Sequence, residues 1–277
     1  MEGACLGQGG FGVDMDENRI IDLAVFMGQS NMAGRGTAAD APVLMAGMGY
    51  EFRAVTAPDR LYALQEPFGK DENNPDGVYE PGMKTGSMVS AFVKACVEIT
   101  HVPIVGVSCS KGGSKIAEWM PGTAYYKDAL HRIAACEKWL MDNRYIIRHS
   151  YILWCQGCTD ADIGTPTEVY KDKTKNVLLS FLNDANLEKC FLIQIGNHRD
   201  EPELYVRIQQ AQEELADDNE DIVMVSRLFK TFAKKGLMKD EFHYLQEGYN
   251  LVGEDAGRYV AEWLPGSCML QVRKIAS

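Results

Sequence analysis

The chain has 277 residues, a formal net charge of −11, and is 46% hydrophobic and 24% charged. That is ordinary globular composition, with length enough to bury a core. The acidic balance argues against a nucleic-acid backbone or an anionic membrane as partner, since both call for clustered Lys and Arg.

No run reaches the roughly 18 apolar residues of a transmembrane helix. Residues 1–17 are Gly-rich and acidic, without the basic and apolar regions of a signal peptide, so the expected location is cytoplasmic.

In chain order, an apolar run predicts a first strand over 21–27. It empties into Gly28-Gln29-Ser30-Asn31-Met32-Ala33-Gly34. A serine at a strand end, among small residues that admit a substrate, can serve as a nucleophile. Serine and glycine are also ordinary turn residues. The next stretch, 34–86, is rich in Gly, Pro, Asn and Asp and contains no convincing strand; a long loop leaving the Ser30 turn could wall a pocket.

Beyond it, helix over 87–99 leads to a strand over 103–108 and the turn Ser110-Lys111-Gly112-Gly113-Ser114. Helix over 125–141 leads to a strand over 145–154 and the turn Cys155-Gln156-Gly157-Cys158. Helix over 167–181, strand over 191–196, helix over 202–216, strand over 221–226 and a closing helix over 245–264 complete the pattern. Strands alternating with helices predict a single domain: a flavodoxin-like three-layer α/β/α sandwich on a five-stranded parallel sheet.

A serine nucleophile needs a base, an orienter for it and an oxyanion hole. Of the five histidines, His101, His131 and His149 fall at helices or strand entries, whereas His198 and His243 follow strand ends or long loops. Asp240 stands three residues before His243, a spacing that lets its carboxylate curl back onto Nδ1. The same DxxH is also what an Asp capping a turn beside a solvent histidine looks like. The Gly112 and Gly113 amides and the Gln156 side chain are candidate oxyanion donors; each is also a plausible plain turn residue.

Eight cysteines invite a disulfide framework, but a chain this long does not need one, and a cytoplasmic chain keeps its thiols reduced. Cys155 and Cys158 form a lone CxxC without the second pair a structural zinc site requires, so no metal is expected. The acidic run 216–221 reads as a solvated turn rather than a metal site.

Taken together, these blocks resemble the SGNH-hydrolase superfamily, in the version of carbohydrate esterase family 6 and the sialate O-acetylesterase-like proteins. The carriers are Gly28 to Gly36, then Gly112-Gly113-Ser114 with Ile116, Glu118 and Trp119, then Trp154-Cys155-Gln156-Gly157 with Asp160 and Ala161, and finally Asp240 and His243 followed by Gly248-Tyr249. Arg207 and Gln212 sit in a helix of similar kind.

The resemblance implies a cofactor-free serine esterase that removes acetyl groups from a small acetylated carbohydrate. Ser30 would be nucleophile, His243 base and acid, and Asp240 its orienter. The Ser30 amide, Gly112 or Gly113, and Gln156 would form the oxyanion hole, with Gly113 favoured. Gln29, Asn31 and Trp119 would bind substrate, and Trp119, Tyr125, Tyr126, Trp154 and Tyr244 could stack on a sugar. One departure stands out: the family usually carries Glu where this chain has Cys158. Lipid or thioester hydrolysis on the same scaffold, or sugar binding without catalysis, are the alternatives.

Overall fold

The first apolar run forms β1 (Ile20–Gly28), and its alternation decides how the fold is filled. Leu23, Val25 and Met27 enter one core while Ala24 and Phe26 enter another. Successive side chains of a strand point to opposite faces, so a strand apolar throughout must be covered on both sides. The computed structural model describes residues 19–264; residues 1–17, Cys5 and Cys268 lie outside the described residues.

The other strands are β2 (Gly49–Phe52), β3 (Leu61–Ala63), β4 (Ile104–Ser110), β5 (Ile146–Cys155), β6 (Lys189–Ile193) and β7 (Ile222–Ser226). They form one seven-stranded sheet in the order β3-β2-β4-β1-β5-β6-β7. Every pair is parallel except β2–β3.

Besides the four-residue α1 (Ser30–Ala33), six longer segments matter for the layers and the site: α2 (Val89–Thr100), α3 (Ala124–Asp142), α4 (Cys158–Asp162), α5 (Thr167–Asp184), α6 (Val206–Asp217) and, after the short α7 (Phe232–Lys235), α8 (Gln246–Trp263). On one face α3, α5 and α6 contribute Ile133, Val177 and Ala211 to the core. On the other, α2 and α8 contribute Phe92, Val93, Val252 and Val260. The three-layer α/β/α architecture is as expected.

The five-stranded parallel count is corrected: β2 and β3, inside the segment read as strandless, extend the sheet to seven strands and make it mixed. Strands of four and three residues are too short to display an alternation. The helix expected from 202 begins at Val206.

The segment 34–86 is stapled rather than loose. Arg132, wholly buried on α3, donates to the carbonyls of Glu72 (3.2 Å), Val78 (3.2 Å) and Ser108 (2.8 Å) and pairs with Asp128 at 2.8 Å. Asp128 in turn accepts from the Val78 amide at 2.9 Å. Lys84 Nζ, buried, donates to Ser108 Oγ on β4 at 2.9 Å. Burial pushes its pKa down to about 8.

The chain runs outward from β1 to one side as far as β3, returns through β4, then crosses to β5 on the other side of β1. This is a topological switch point, where crevices open at the carboxyl ends of strands. Among the described residues no helix is long and apolar enough to cross a membrane.

Candidate active site

Three turns meet at that point, after β1, β4 and β5, and backbone bonds lock them together. Lys111 N–H donates to Gly28 carbonyl at 2.8 Å and Gln29 N–H to Cys155 carbonyl at 2.9 Å. Gly28 has φ +128, and a Cβ there would lie 2.1 Å from the Cys155 carbonyl oxygen, so only glycine lets β1 end this close to β5. The turn presents Ser30 as the first residue of α1, 6% exposed.

The loop before α8 brings His243 to it. His243 Nε2 stands 2.9 Å from Ser30 Oγ, and His243 Nδ1 stands 2.9 Å from Asp240 Oδ2. Asp240 Oδ1 accepts from the amides of Phe242 (3.0 Å) and His243 (2.7 Å), fixing the turn that curls the carboxylate back. An antiparallel bridge between Met238 and Tyr244 closes the loop's base.

Burial alone would raise the Asp240 pKa, but the His243 ring and the two amides outweigh it and hold the carboxyl below its usual range. For His243, burial is the largest influence and lowers the pKa; Asp240 opposes it, and Arg35 and Lys239 add to the lowering. The resting state is a neutral imidazole beside a carboxylate. With Nδ1–H turned to Asp240, the Nε2 lone pair faces the serine hydroxyl.

Several of the expected site groups are engaged within the protein. Gln156 is 0% exposed, and its amide nitrogen donates to Ser114 carbonyl (3.0 Å) and Asp160 Oδ2 (2.6 Å), leaving no N–H for an oxyanion. Gly112 N–H donates to Glu80 Oε2 at 3.0 Å and is committed likewise. Gly113, at φ +68 with open space around it, is exposed, and its N–H has no partner among the described residues. The Ser30 N–H is free in the same sense.

Gln29 is buried, its Oε1 accepting from the amides of Gly157 (2.8 Å) and Thr159 (3.4 Å). Asn31 is buried too, accepting from Tyr249 hydroxyl (2.8 Å) and donating to Phe242 carbonyl (3.0 Å). Both are held in hydrogen bonds that brace the site. Trp119 is 0% exposed; its indole N–H donates to Ser114 Oγ at 3.0 Å and its ring packs edge-on against Trp154. Trp119, Trp154, Tyr126 and Tyr244 are core residues, and Tyr125 is half-buried.

Cys158 opens α4 with its Sγ 3.9 Å from Asn31 Nδ2. Burial pushes its thiol well above the usual range, and that of Cys155 to about 12. Both are free, neutral thiols, unsuited to redox chemistry. The carboxylate of this turn is that of Asp160, which accepts from Ile116 N–H (2.8 Å) and Thr165 hydroxyl (2.9 Å) besides Gln156. Gln212 braces the turn through Gln156 carbonyl at 2.8 Å. Among the described residues no acidic, His or Cys cluster could hold a metal ion.

Three residues at the site were given no role by the sequence. Arg35 and Glu80 form a buried ion pair whose carboxylate fixes Gly112, and Lys239 donates to the Arg35 carbonyl at 2.7 Å. Arg35 lies within the first motif block, but nothing in the spacing marks Glu80 as its partner. Off to one side, a cavity of about 520 Å³ is lined by Thr165, Pro166, Glu201, Pro202, Leu204 and Arg207; Ser30, Asp240 and His243 do not line it.

Residues 21–262 match the family model described as carbohydrate esterase, sialic acid-specific acetylesterase. Among solved structures, a protein from Arabidopsis thaliana superposes with a TM-score of 0.63 at 22% identity, covering 89% of this chain and 98% of that one. NanS superposes with a TM-score of 0.63 at 12% identity, covering 88% and 98%. A carbohydrate acetylesterase from Xanthomonas citri gives 0.55 at 15% identity, covering 87% and 56%. At these identities the likeness is one of fold. No curated protein sequence matches the chain.

Proposed function

The chain belongs to the carbohydrate esterase family of sialic acid-specific acetylesterases, and on that premise we propose that it removes O-acetyl groups from carbohydrates through an acetyl-enzyme on Ser30. It is a carboxylic ester hydrolase by family; the acetyl group, the sugar and the residues that act are the proposal. The supporting observation is the continuous relay Ser30 Oγ, His243 Nε2, His243 Nδ1, Asp240 Oδ2, with 2.9 Å at each gap.

In the first step His243 Nε2 takes the hydroxyl proton as Ser30 Oγ attacks the acetyl carbonyl. Asp240 stabilises the imidazolium that forms. The tetrahedral oxyanion is held by the N–H groups of Ser30 and Gly113. Collapse expels the sugar oxygen, which takes the proton from Nε2. Water then enters, His243 takes its proton, and the oxygen attacks the acetyl-enzyme; acetate leaves as Ser30 recovers its hydrogen. Glu80 contributes by holding Gly112, which fixes the frame on which Gly113 presents its N–H.

A labelled fluorophosphonate is expected to modify the wild-type enzyme and not Ser30→Ala. The same substitution is expected to abolish hydrolysis of a chromogenic acetate ester. Retained turnover in Ser30→Ala, measured beside a circular-dichroism control for folding, would remove Ser30 as nucleophile.

A further inference from the structure

Ser30 is buried and the His243 ring half-buried, yet two aromatic rings stand partly open beside them. Phe242 is 36% exposed and immediately precedes the base. Its ring meets the His243 ring nearly edge-on, with centroids 4.6 Å apart. Its backbone is fixed to the nucleophile turn, since its carbonyl accepts from Asn31 at 3.0 Å. An isolated exposed apolar side chain needs no explanation. This one is held in place against the catalytic imidazole.

The second ring is His198, on the loop after β6. Its centroid lies 6.5 Å from that of Phe242, the planes tilted at 42°. Two contacts hold the His198 loop against the triad loop: Arg199 N–H donates to Glu241 carbonyl at 2.8 Å, and the Arg199 guanidinium lies 3.7 Å from the Glu241 carboxylate. The other side of the imidazole is backed by Tyr205, edge-on at 5.8 Å, whose hydroxyl donates to Asp162 at 2.6 Å. His198 Nδ1 accepts from the Glu201 amide at 3.1 Å. A ring that accepts at Nδ1 carries its proton on Nε2, which leaves an N–H donor on the far edge.

We propose that Phe242 and His198 form the subsite for the leaving group, and that the group they take is a pyranose ring. The proposal rests on the acetylesterase reading and names where its sugar lies. A pyranose presents a face of C–H bonds and a rim of hydroxyls. The electron-rich face of Phe242 suits the first, and the Nε2–H of His198 suits the second.

The test compares two acetate esters with the full-length enzyme: an acetylated methyl xylopyranoside and ethyl acetate, whose leaving group is too small to reach the rings. The readout is the ratio of their kcat/KM values. Phe242→Ala and His198→Ala are each expected to lower the sugar-to-ethyl ratio about tenfold, mainly through KM. Phe242→Trp, which keeps an aromatic face, is expected to hold the ratio within about twofold. A ratio unchanged in both alanine variants would overturn the proposal. So would an equal loss on both esters, which would mean that the rings act only by supporting His243. A wild-type enzyme inert on both esters would sink the acetylesterase reading itself, and this subsite with it, an outcome distinct from either of the others.

Discussion

His243 is where opposing influences on one proton can be read most directly. Burial lowers its pKa, Asp240 raises it, and Arg35 and Lys239 lower it, with a net value below the ordinary 6.5. On the proposed mechanism the neutral ring is the working form, so kcat/KM should climb with pH through a midpoint below 6.5 and level off above it. A pH profile on a chromogenic acetate checks this; a midpoint above 6.5 contradicts it. Asp240→Asn removes the influence that raises the pKa and loses the tautomer lock, so the midpoint should fall further and kcat should drop about 10⁴-fold. Gln156 separates two roles. As an oxyanion donor its loss would cost about 10²-fold in kcat with stability intact. With both amide hydrogens bonded to Ser114 and Asp160, Gln156→Ala should instead cost about 1–3 kcal/mol in urea denaturation, because buried partners are left unpaired.

At the scale of elements, α2 and α8 approach so closely that a Cβ on Gly253 would lie 2.3 Å from the Met88 carbonyl oxygen, and one on Gly257 2.5 Å from that of Phe92. Helix propensity alone says that Gly253→Ala stabilises by about 1 kcal/mol. The backbone contact says that the helices must part, at a net cost of about 1–3 kcal/mol. Chemical denaturation decides by sign. Lys84 offers a second test. Its pKa is about 8 in the folded chain against 10.5 for the ordinary group, so between those values the unfolded chain holds more protons and stability rises with pH. From pH 7.5 to 9.5 the wild type should gain about 2 kcal/mol relative to Lys84→Met, measured by urea denaturation.

These elements were unequally legible in the sequence. The five longer parallel strands announced themselves as apolar runs, and Asp240 with His243 did so because both lie in one turn. β2 and β3 were too short to show a period. The Arg35–Glu80 pair, 45 residues apart, has no local signature, and without Glu80 nothing distinguishes the Gly112 amide from that of Gly113. Trp119 and Trp154 read alike whether they line a cleft or a core, since their direction depends on packing that spacing does not encode.

Across the whole molecule, the two cores on opposite faces of one sheet enclose all six cysteines of the described residues as free thiols. Those thiols should resist iodoacetamide under native conditions and react on unfolding, as peptide mass mapping would reveal; rapid native labelling of Cys155 or Cys158 would contradict their burial. The relay joins two residues separated by 213 positions. During synthesis the proposed nucleophile, Ser30, therefore leaves the ribosome long before its proposed base, His243, exists. The nascent chain carries an inert serine until the loop before α8 has emerged and docked, because domains fold as units once their parts are available. Esterase activity thus works as a clock for the last stage of folding. In refolding from urea, its return should trail the far-ultraviolet circular dichroism of the helices and coincide with the arrival of α8 on α2.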